Sequence, residues 1–107
     1  MKKFKNIVFE GHDGKPLQYT EREGEVKALK TYNMLWVILN NAPIQTQEDS
    51  INGLRLAEAL DESRDVIEIE DGVHDWLKKV AEKVTPPLFR INGNLVYKFI
   101  CEGYEEE

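Results

Sequence analysis

Residues 51–84 read INGLRLAEALDESRDVIEIEDGVHDWLKKVAEKV, and their hydrophobic spacing decides the fold class. Val73, Trp76, Leu77, Val80 and Val84 fall at i, i+3, i+4, i+7 and i+11, an unbroken stripe along one face of a helix. Asp71 stands at its start as the expected cap, and Lys78, Lys79 and Lys83 lie toward its end, as the helix dipole favours. Upstream, Ile67 and Ile69 alternate with Glu68 and Glu70, the period of a short half-buried strand. Before the polar linker Asp61-Glu62-Ser63, a further helix is expected to begin within Thr46–Ser50. Its buried side is read as Ile51, Leu54, Ala57 and the pair Leu56 and Leu60. The order helix, strand, helix fixes an α+β reading.

Working outward toward the C-terminus, Thr85-Pro86-Pro87 is expected to end the long helix, because proline lacks the helix N–H and restricts the residue before it. Leu88 to Ile91 then cross to a last element. Leu95, Val96, Phe99 and Ile100 favour a helix closing at Gly103, while the alternation in LVYKFI also permits a strand. Glu105 to Glu107 read as an acidic, frayed tail.

Toward the N-terminus, Thr31 is expected to cap a helix in which Met34, Leu35, Ile38, Leu39 and Ala42 share a face that Trp36 and Val37 widen. Asn40, Asn41 and Pro43 end it. Residues 4–9, FKNIVF, read as a strand, GHDGK at 11–15 as a turn, and Pro16–Tyr19 as the returning arm of a hairpin. Thr20 with Glu23 fits a capping box, but Gly24 weakens a helix there, so strand or loop is preferred up to Lys30. The expected architecture is one domain over residues 1–107. A β-hairpin region spans 1–30, a helical core of three to four helices with one short strand between the second and third spans 31–103, and an acidic tail covers 104–107.

Composition narrows the function classes. The chain of 107 residues is 41% hydrophobic and 32% charged, suited to a globular domain. Its 14 Lys and Arg stand against 20 Asp and Glu, a formal net charge of -6. Direct nucleic-acid binding relies on clustered cations and is disfavoured, whereas an acidic protein covering a partner's basic surface fits. A single cysteine, Cys101, rules out an internal disulfide and a multi-cysteine zinc site. The apolar run Ile7-Val8-Phe9 is too short for a signal peptide or a membrane span, so the expectation is cytoplasmic and not membrane-bound.

No motif carries chemistry. His12–Asp13 and His74–Asp75 are the His–carboxylate neighbours, neither with metal-ligand spacing, and both histidines read as surface residues. Glu68, Glu70, Asp71 and Asp75 lack the alternate-oxygen pattern of a calcium loop and read as caps and solvated acids. Cys101, beside Phe99 and Ile100, reads as a small buried residue; GHDG and NGN lack the form of phosphate-binding loops. No catalytic, cofactor or metal residue is therefore assigned. Phe89, Tyr97 and Tyr104 are the candidate partner contacts, since aromatics concentrate binding energy at interfaces.

Thr31–Ala42, Leu54–Leu60, Val66–Glu70, Val73–Val84 and the run from Thr85-Pro86-Pro87 to Ile100 also carry a resemblance. In order and pattern, residues 30–101 resemble a loosely related set of small bacteriophage and prophage proteins, mostly of unassigned function. The resemblance covers about two thirds of the chain, rests on no invariant motif, and departs at the Pro-Pro pair and in Leu88–Asn94. It implies a phage accessory protein in the cytoplasm of a bacterial host and carries over no active site. The reading is a non-enzymatic module that binds a host or phage protein, as assembly accessory or inhibitor, with a homo-oligomer left open. The alternatives are an acidic inhibitor of a nucleic-acid-binding protein and a small metal-dependent enzyme.

Overall fold

A computed structural model describes residues 1–20, 24 and 26–106. Its elements are β1 (Lys2–Lys5), β2 (Gln18–Thr20), β3 (Val26–Ala28), α1 (Thr31–Asn40), α2 (Gln47–Ala59), β4 (Val66–Ile69), α3 (Asp71–Phe89), a 3₁₀ turn (Arg90–Asn92), α4 (Gly93–Glu102) and β5 (Glu105–Glu106). This is the α+β fold read from the sequence, with the short strand between α2 and α3. The segment carrying Leu95 to Ile100 is a helix, not a strand, and no described helix is long and apolar enough to cross a membrane.

The N-terminal segment expected as one strand is broken at Asn6, and each part pairs differently. β1 is the centre of an antiparallel sheet of order β4-β1-β5. Phe9 and Glu10 instead meet the returning arm through the turn at 11–15, where Gly14 takes φ 76°, and Val8 bridges to Lys30. Three backbone bonds then close a ring. Phe9 N donates to Leu29 O at 2.9 Å, Leu29 N to Leu17 O at 2.7 Å, and Leu17 N to Phe9 O at 2.8 Å. Beyond the ring, β2 pairs with β3, and part of the Thr20–Glu23 capping box weighed above lies outside the described residues.

Asn6 breaks the strand because its side chain serves other elements. Its Oδ1 accepts from Tyr32 N at 3.1 Å, satisfying an orphan donor in the first turn of α1, and its Nδ2 donates to Arg64 O at 3.2 Å. Thr31 is accordingly not the cap of α1; Lys30 precedes the helix, and Thr31 is buried with its hydroxyl donating to Lys5 O at 2.7 Å. α2 does carry a capping box: Asp49 N donates to Thr46 Oγ1, and Asp49 Oδ2 accepts from Thr46 N.

Several expectations about α2 and α3 are corrected. The buried line of α2 is Gly53, Leu56 and Leu60, while Ile51 and Leu54 are 50% and 62% exposed. Gly53 lies on that buried side and faces α1 and its linker: a Cβ there would make ordinary 3.5 Å contact with Leu39 Cδ1 and Ile44 Cδ1. Glu70, not Asp71, is the cap position of α3, and Asp71 instead lies 3.5 Å from the Met1 amine. α3 also continues through Pro86 and Pro87 to Phe89. The carbonyls these prolines leave without donors belong to Glu82 and Lys83, both exposed, where water can serve them. The turn into α4 comes only at Arg90, with φ 55°.

Phe4 is fully buried in the core, in contact with Phe99 (5.5 Å between centroids) and Tyr104 (5.9 Å). Burying one such ring contributes about 2–3 kcal/mol. The acidic tail expected to fray is held: β5 pairs with Lys2 and Lys3 of β1, and Glu105 lies 3.5 Å from Lys5.

Candidate binding groove beside strand β4

The chain between α2 and β4 is a tight polar turn. Asp61 Oδ1 accepts from Ser63 N at 3.0 Å and Ser63 Oγ at 2.7 Å, while Arg64 N donates to Asp61 O at 3.2 Å. The Ser63 hydroxyl and backbone N–H, with Arg64 beside them, hold the Asp61 carboxyl below its ordinary range. This turn brings the end of α2 alongside β4.

β4 is an edge strand. Its register with β1 pairs Lys2 with Ile69, Lys3 with Glu68, Phe4 with Ile67 and Lys5 with Val66. Asn6 N donates to Asp65 O at 2.8 Å just beyond the strand, so the Asn6–Asp65 position is a hydrogen-bonded pair. Antiparallel pairs alternate. Phe4–Ile67 and Lys2–Ile69 are then bonded as well, and the N–H and C=O groups of Val66 and Glu68 turn away from β1. Among the described residues no strand pairs with β4 on that side.

Between β4 and the end of α2 lies a cleft of about 310 Å³, at the lower end of the ~300–1,000 Å³ of ligand clefts. Ala59, Ile69 and Val73 give it apolar surface. Its cations are matched by acids: Arg55 lies 3.9 Å from Glu70, Arg64 3.7 Å from Asp61, and the Met1 amine 3.5 Å from Asp71. Glu58 stands on the α2 wall, and Glu68 on the strand is 3.8 Å from Lys3.

The chain matches no family model, no curated protein and no solved structure.

The aromatic candidates lie elsewhere, each half-buried against the core, with no ring contact among them. Tyr104 packs on His74 at 5.0 Å, and Lys2 Nζ lies 4.6 Å from its ring centre. Tyr97 borders a shallow depression with Asp75, Lys78, Lys79 and Glu82. Its side-chain interaction with half-buried Cys101 pushes the Tyr97 hydroxyl up. Phe89 closes the last turn of α3.

The histidines divide. His12 is exposed and pins the GHDG turn to the α3–α4 corner, its Nδ1–H and its backbone N–H each 2.9 Å from Asn92 Oδ1. His74, expected at the surface, is 1% exposed, with Nε2 at 2.7 Å from Ile100 O. Among the described residues no group of three His, Cys, Asp or Glu side chains is placed to hold a metal ion.

Arg55, Glu58 and Arg64 were not singled out from the sequence. They surround a strand whose edge position depends on pairing with β1, sixty residues away, and no local pattern reports that. The available signal was Glu68 and Glu70 on the solvent side of a short apolar strand.

Proposed function

We propose that this chain is a non-enzymatic protein-binding module, an accessory protein of phage or prophage origin acting by stable contact with a host or phage protein. The observation that supports a binding role is the unpaired edge of β4 beside a cleft walled by α2. An exposed strand edge offers a row of backbone donors and acceptors, and a neighbouring cleft can seat the side chains of whatever pairs with it. The pairing of its cations with neighbouring acids suits recognition of a polypeptide better than the poising of one group for proton transfer. Phage origin is supported by the resemblance of residues 30–101 alone, and a bacterial cytoplasmic setting follows from it.

A second reading, an acidic protein that covers a partner's basic surface, draws support from Glu68 and Glu105 on the sheet and Glu70 just beyond β4. The two readings share a site and differ in the partner.

The test is selection of ligands from a random peptide library against the immobilised chain, with binding then measured in solution by calorimetry. Enriched sequences that bind the free chain at micromolar concentration support the proposal. A library that yields no ligand contradicts it.

A further inference from the structure

We infer that the groove takes an extended, basic segment of its protein partner, added beside β4 as a fourth strand of the β4-β1-β5 sheet. This rests on the protein-binding reading above and specifies the chemistry of the partner.

Backbone geometry supplies the first argument. Val66 and Glu68 present their N–H and C=O groups away from β1, the arrangement that accepts an added strand. The opposite edge of the sheet is β5, a strand of only two residues, Glu105–Glu106, which offers much less length to a partner.

Charge selects the occupant. On the outer face of the sheet, Glu105, Lys3 and Glu68 stand side by side in register, a row that runs acid, base, acid. Opposite charges directly across strands stabilise a sheet, and like charges oppose pairing. The next strand beyond Glu68 therefore favours a Lys or Arg at that register position. Across the cleft, Glu58 on α2 has no cationic partner among the described residues and adds a second acid facing the same space. A second copy of this chain is disfavoured, because two antiparallel β4 edges would bring one Glu68 close to the other. Acids on the edge thus block self-pairing and admit a basic strand.

The experiment uses the full ¹⁵N-labelled chain and three synthetic peptides with blocked ends. One alternates Lys with Val over seven residues, the second replaces each Lys by Glu, and the third is the Lys peptide N-methylated at alternate residues. The expected result is that the Lys peptide slows hydrogen exchange at the Val66 and Glu68 amides at least tenfold, while the other two do not. Glu68→Gln and Glu68→Lys, each checked for an unchanged fold by its spectrum, should weaken binding roughly two- to fivefold or more. Equal binding of the Glu peptide, or protection away from β4, would overturn the inference. If no peptide of the three binds while a library-selected ligand still does, strand addition by a basic segment is wrong and the protein-binding reading stands. If neither binds, both fall.

Discussion

His74 Nε2–H donates to the carbonyl oxygen of Ile100 at 2.7 Å, a side chain from the first turn of α3 closing the last turn of α4. The final four carbonyls of a helix lack intrahelical donors, and Ile100 O is one of them in α4, which ends at Glu102. His74 supplies the missing donor from within the core. Replacing it by Phe keeps a ring against Tyr104 but leaves a buried carbonyl without a partner, an expected loss of about 1–3 kcal/mol. His74→Ala adds a cavity, for an expected loss of about 2–5 kcal/mol. Urea unfolding at neutral pH, compared at equal m-value, measures both.

Asp49 joins α2 to α3. Its Oδ2 accepts from Gln45 N at 3.1 Å and Thr46 N at 3.2 Å, while Oδ1 accepts from Trp76 Nε1 at 3.0 Å. The Gln45 N–H bond and then the Trp76 bond hold its carboxyl below the ordinary aspartate value. A lowered native value means that the stabilisation is complete above the ordinary aspartate range and is lost as the pH falls through the native value. Asp49→Asn is expected to lower the urea midpoint at pH 7, with the gap from wild type closing in acid. A gap of constant size across the acid titration would contradict it.

Gly93 marks where α4 touches α3. A Cβ there would lie 2.9 Å from Thr85 O and 3.1 Å from Pro86 Cα, both backbone atoms that cannot swing aside. Helix propensity alone would favour alanine by about 1 kcal/mol. The clash should win: Gly93→Ala is expected to destabilise by about 1–3 kcal/mol, measured by the same unfolding experiment.

The C-terminal segment is structural, although its sequence reads as a tail. Tyr104 leans on Phe4 and His74, and β5 pairs with β1. Tyr104→Ala is expected to lower stability by about 1–3 kcal/mol, part of the cost of truncating a fully buried ring. Hydrogen exchange at the β1 amides should rise with it; unchanged exchange would mean that the segment is not held by this ring.

What was legible in the sequence followed from local periodicity. The stripe Val73–Val84 and the alternation of Ile67 and Ile69 came out as read, because each pattern repeats within one element. Expectations failed where a distant partner decides. Ile51 and Leu54 look as apolar as Leu56 and Leu60, and the buried side of α2 shows only when α1 and its linker pack against it, with Leu39 and Ile44 beside Gly53. His74 flanks the α3 stripe, and its burial depends on α4 and Tyr104 arriving over it. The prolines failed as a stop because the residues whose carbonyls they orphan, Glu82 and Lys83, lie on the exposed side of α3, a fact of tertiary structure. For the groove, the sequence shows its strand and helix but not that β4 has no strand on its outer side among the described residues, since edge position is a property of the assembled sheet.

The β4–α2 groove is the surface through which this chain is proposed to bind a protein. Its most direct test is amide chemical-shift mapping of the labelled chain with a library-selected ligand. The largest changes are expected at Val66–Glu70 and along residues 55–64. Changes centred elsewhere, for instance on exposed Ile91 and Leu95 at the α3–α4 corner with β4 unmoved, would contradict it.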